Sequence, residues 1–83
     1  MMYTVGMAGV ATRIQLTWEE RETLEGWVRK PTVEQRRVQR ARMILEAAAG
    51  RTTKEIATLL HLRPATVSRW RVRFHRQRVA GLA

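Results

Sequence analysis

The chain has 83 residues, 45% of them hydrophobic, with no cysteine and a formal net charge of +9. This is one small domain with a single core. Disulfides, zinc fingers and thiol chemistry are excluded, and no run of about 18 apolar residues exists to cross a membrane.

The opening "MMYTVGMAGVATR" lacks an early basic stretch and a sustained apolar core, so residues 1–14 read as a flexible leader, not a secretion signal. The first helix follows "LTWEERETLEGWVRK". Thr17 and Glu20 have the spacing of a capping box. Glu19, Glu20 and Glu22 crowd the first turn, and Arg29 and Lys30 the last, as the helix dipole favours. Leu24, Trp27 and Val28 make an apolar stripe, Trp18 and Trp27 are expected in the core, and Pro31 stops the helix.

The second helix follows "TVEQRRVQRARMILEAAAG", with Thr32 and Gln35 repeating the capping-box spacing. Val38, Ala41, Ile44, Leu45 and Ala48 recur every three or four residues, and Gly50 supplies a C-terminal stop. Arg36, Arg37, Arg40 and Arg42 cover the outer faces; they read as a solvated charged surface, the alternative being phosphate contact by one or two of them. A third, short helix, "TTKEIATLL", has its own box at Thr52 and Glu55, with Ile56, Leu59 and Leu60 on one side. The fourth begins at Pro64, a favoured first helical residue, and runs to about Gln77. "VAGLA" then begins a linker over residues 79–83, leaving 15–78 as the folded domain.

The last two helices read together as a helix-turn-helix in an all-α, four-helix bundle. The turn is "HLRP". Ala57 sits where the helices cross, Leu62 plugs the turn, and Val67, Trp70 and Phe74 pin the last helix at i, i+3, i+7 spacing. At that spacing the two aromatics belong to the core, not to a base-stacking surface. His61 stands at the turn position usually held by glycine.

Charge is spread unevenly. Residues 51–83 carry eight bases against Glu55 alone, a net +7, while residues 1–50 carry +2. Fourteen of the sixteen bases are arginine, which forks onto phosphates and guanine edges as lysine cannot. With the aromatics turned inward, the outer face of the last helix is polycationic. The expected base contacts are Arg63, Thr66, Arg69 and Arg73, with Arg69 on the two acceptors of guanine and Thr66 on a thymine methyl. Arg51, Lys54, Arg71, Arg76 and Arg78 are expected at phosphates. His61 and His75, with no Cys or Asp in the chain, make no metal site. No nucleophile–base pair, phosphate loop or carboxylate cluster appears, and no cofactor or small-molecule substrate is implied.

Over residues 16–82 the sequence resembles the N-terminal DNA-binding region of bacterial insertion-sequence transposases of the mariner superfamily. The marks are the opening "LTWEER", "RARMILEAAAG", "TTKEIA", "TVSRWRVRF" and the closing "GL". It departs from the pattern at His61, where glycine is usual, and at Arg63, where a serine cap is usual. The resemblance implies a homeodomain-like fold, a bacterial cytoplasmic setting at the nucleoid, and binding to the terminal inverted repeats of a mobile element. It also implies a ribonuclease-H-like catalytic domain with three carboxylates and two magnesium ions. With no aspartate and seven glutamates ascribed to caps and surfaces, this chain is expected to be the DNA-binding part, or a stand-alone relative, and not the enzyme. A second reading is a free-standing regulator that dimerises through the first helix and reads a palindrome. A third makes residues 64–78 an amphipathic helix docking on an anionic membrane or acidic partner, with Trp70 and Phe74 exposed.

Overall fold

The computed structural model describes residues 14–83. The expected leader otherwise lies outside the described residues, but Ile14, assigned to it, is instead buried in the core. Four helices follow in order: α1, Trp18–Arg29; α2, Gln35–Ala48; α3, Thr53–Leu60; and α4, Pro64–Gln77. A 3-10 turn, Arg78–Leu82, folds back after α4. No strand occurs among the described residues, and the all-α architecture is the one expected.

Local chemistry sets the helix starts. Thr17 Oγ1 accepts from the Glu20 N–H at 3.1 Å, and Glu20 Oε1 accepts from the Thr17 N–H at 3.0 Å. Thr52 and Glu55 make the same reciprocal pair at 3.1 and 2.9 Å. The box expected at Thr32 and Gln35 does not form. Behind Pro31 the chain makes a turn, closed by the Val33 N–H donating to the Lys30 carbonyl, which takes up Thr32. Glu34 becomes the N-cap, with no side-chain cap bond, and Gln35 falls at the first helical position instead of the third.

Three helix ends use positive-φ backbone, at Gly50, His61 and Arg78. Gly50, after α2, has φ +102°, where a side chain would be strained. His61, after α3, has φ 59° and ψ 47°, the left-handed conformation the turn demands, adopted without glycine. The Leu62 N–H then donates to the Ala57 carbonyl at 2.8 Å, closing the end of α3.

One core holds the elements together. Leu24 of α1, Met43 and Ile44 of α2, Ile56 of α3, and Val67 and Phe74 of α4 meet in it, joined by Leu82. At about 25 cal/mol per Å² of apolar surface removed from water, this shared burial is the main term holding four short helices in place. The burial of Leu82 corrects the expectation of a linker after Arg78. Gly81 allows the return, because a Cβ there would stand 2.8 Å from the Gln77 Cβ. Arg40 Nη1 donates to the Leu82 carbonyl at 3.3 Å and secures the turn to α2.

Two apolar residues expected inside are outside. Trp18 is 69% exposed and Leu59 is 47% exposed. Trp18 lies six residues before Leu24, about 120° around the helix from it, and so misses the core stripe. Trp27 is half-buried, as its place on that stripe requires, with the Arg37 guanidinium 5.3 Å from its ring centre.

Candidate nucleic-acid interface

The turn between α3 and α4 is only residues 61–63. Ala57 is buried, and Leu62 packs against the core from the turn. α4 starts with Pro64 at its first position and Arg63 as N-cap. The Arg63 carbonyl accepts from the Thr66 and Val67 N–H groups at 3.0 and 3.2 Å. These contacts fix how α4 rolls. Val67, Arg71 and Phe74 point inward and are buried. At about 100° per residue, the opposite line is Ala65, Arg69, Val72 and Arg76, and all four are exposed.

Of the residues expected at bases, Arg63 and Arg69 are exposed. Thr66 is half-buried on one flank of the line. Arg73, on the same flank, is exposed, with its guanidinium 5.4 Å from the Trp70 ring centre. Trp70 itself is half-buried, its other partner being Arg40 at 4.4 Å. Phe74 is fully buried. The apolar side of α4 is thus spent on the fold, which removes the basis for a membrane-docking helix. No helix among the described residues is long and apolar enough to cross a membrane.

The residues expected at phosphates divide into two groups. Arg76 and Lys54 are exposed. Arg51 is exposed, and its Nε donates to Glu46 Oε1 at 2.6 Å. That surface pair is weak enough for a phosphate to replace it. Arg71 does not belong with them. It is 6% exposed, and its Nη1 donates to the Arg51 carbonyl at 3.3 Å, tying α4 to the start of the helix-turn-helix. Burial pushes its guanidinium pKa down, yet an arginine stays charged.

Arg78 is also engaged within the fold. Its Nε and Nη2 donate to the Glu20 carboxylate at 2.9 and 2.7 Å, and Nη2 donates to the Gln15 carbonyl at 2.8 Å. Its guanidinium lies 4.5 Å from the Phe74 ring centre. Expected at phosphate, Arg78 forms a clamp between the end of α4 and the start of α1, with its side chain 40% exposed. The capping and first-turn roles of Glu20 are local; its bond to Arg78 depends on a partner 58 residues away and leaves no local signal.

A short helix, a three-residue turn and a cation-faced second helix, all on one core, define a helix-turn-helix unit of the DNA-binding kind. The helix-turn-helix domain family matches residues 39–83. That span is more than half of the chain, and the protein belongs to this family, which is found in transposases. It includes the 3-10 turn, in keeping with the burial of Leu82. No curated protein and no solved structure matches the chain.

Proposed function

We propose that the domain binds double-stranded DNA with α4 in the major groove, and that it reads the terminal inverted repeats of an insertion sequence as the DNA-binding part of a transposase. One observation carries the reading: Arg69 and Arg76 stand on the outermost line of α4 because Val67, Arg71 and Phe74 anchor its other side. In this account Arg63 and Arg69 contact base edges, and Arg69 forks onto the O6 and N7 acceptors of a guanine. Thr66 and Arg73 flank them. Arg51, Lys54 and Arg76 take phosphates and set the register. The transposon-end part of the proposal rests on the resemblance over residues 16–82 and on the occurrence of the family in transposases.

A second reading, the dimeric regulator, has one observation behind it: Trp18 on α1 is 69% exposed, and an exposed tryptophan is a good contact for a second copy. Selecting bound duplexes from a random pool separates the two. Enrichment of one non-palindromic site, found at element ends, supports the transposase reading. A palindrome with half-sites about 34–36 Å apart and two copies bound supports the regulator. Absence of any enriched sequence contradicts both.

A further inference from the structure

Val72 is 49% exposed, a β-branched apolar side chain on a face otherwise dominated by guanidinium groups. Single exposed apolar residues are common and need no explanation by themselves. The place of this one distinguishes it. It lies three residues after Arg69 and four before Arg76, on the line of α4 that points furthest from the core. Trp18 and Leu59, the other large exposed apolar groups, sit on α1 and α3. Valine is also a poorer helix former than arginine or alanine, so α4 gains nothing locally from it at this exposed site.

We infer that Val72 is a specificity-determining residue that packs on the 5-methyl group of a thymine in the major groove, next to the guanine read by Arg69. This rests on the DNA-binding reading above. The surface around Val72 is charge-complementary to the duplex. Arg69 and Arg76 bracket the valine and bring the anionic polymer against it, while Val72 is left 49% exposed to meet a base. The thymine methyl is the apolar feature that the major groove offers. The spacing follows from helix geometry. Three residues raise Val72 about 4.5 Å along the axis from Arg69, and base pairs stack about 3.4 Å apart. The thymine therefore lies one or two base pairs from that guanine.

The test uses the full chain and the duplex it selects from a random pool, with each thymine replaced in turn by deoxyuracil. One replacement is expected to weaken binding by about fourfold, the weight of one methyl group. It should fall one or two base pairs from the position whose preference is lost in Arg69→Ala. In Val72→Ala the penalty at that position should drop below about twofold, with penalties elsewhere unchanged. Circular dichroism checks that the variant is folded, as replacement of an exposed side chain should leave it. If the duplex is bound and no deoxyuracil position distinguishes the two proteins, the inference is overturned and the DNA-binding reading stands. If Val72→Ala alters self-association and not base preference, the face is a contact between copies and the inference is again overturned. If no duplex is bound, both fall together.

Discussion

Arg78 has φ 55° and ψ −145°, a region of backbone space that side chains other than glycine avoid at a cost of roughly 1–3 kcal/mol. Its guanidinium contacts offset that cost: two bonds to the Glu20 carboxylate, one to the Gln15 carbonyl, and the face of Phe74. The same contacts act on Glu20. The hydrogen bonds from Arg78 lower its pKa from 4.5 to about 2, with help from Thr17 and against the opposing effect of burial. Because the folded value is depressed, the stability from this pair is fully present above about pH 4.5 and is lost as the pH falls toward 2. Thermal melts across that range should show a steep acid limb in the natural protein and a flatter one in Glu20→Gln. Equal limbs would mean that the carboxylate titrates at its ordinary value. The Arg78–Glu20 clamp was not legible in the sequence, because its partners lie 58 residues apart. The inward course of Arg71 follows from helix spacing, four residues after Val67 and three before Phe74, although its bond to the Arg51 carbonyl, 20 residues away, does not. Arg69 and Arg76 were legible because they stand opposite Val67 and Phe74.

Each helix start is a separate small device. Thr52 caps α3, the first helix of the helix-turn-helix, and Thr52→Ala should cost about 1 kcal/mol in a denaturant titration. Thr32→Ala should cost nothing by comparison, since Thr32 lies in the turn after Pro31 and caps no helix. Equal losses would show that cap spacing alone decides the matter. The two true boxes were readable because threonine and glutamate three residues apart act within one turn of chain. The false one had the same spacing but follows Pro31, and the turn there shifts the helix start by two residues. The segment after α4 departs from the expected linker for a different reason. Its small residues look like a linker, but Gly81 is small because the turn returns against Gln77, and Leu82 reaches the core only through that approach. The left-handed turn at His61 was legible from its place between Leu60 and Leu62, whatever residue stood there.

At the scale of the whole molecule the charge has two destinations. Arg71 and Arg78 are engaged in the fold, whereas Arg63, Arg69, Arg76 and Lys54 remain exposed for a polyanion. Each phosphate neutralised by a cation releases counterions, so duplex affinity should fall steeply with salt. Arg76→Ala should reduce the log–log slope by about one. Arg78→Ala should leave the slope unchanged and lower the melting temperature. Anisotropy titrations at stepped salt concentrations, with thermal melts on the same proteins, check both; a slope that changes with Arg78 and not with Arg76 would reverse the division. The central claim is that the guanidinium face of α4 enters the major groove, with Arg69 on a guanine. Its most direct test replaces each guanine of the selected duplex with 7-deazaguanine, which keeps base pairing and deletes the N7 acceptor. One replacement should weaken the natural protein by about tenfold, the worth of one hydrogen bond from a charged donor, and should leave Arg69→Ala unaffected. Equal binding to every 7-deaza duplex, or an equal loss in both proteins, would place Arg69 away from the guanine edge.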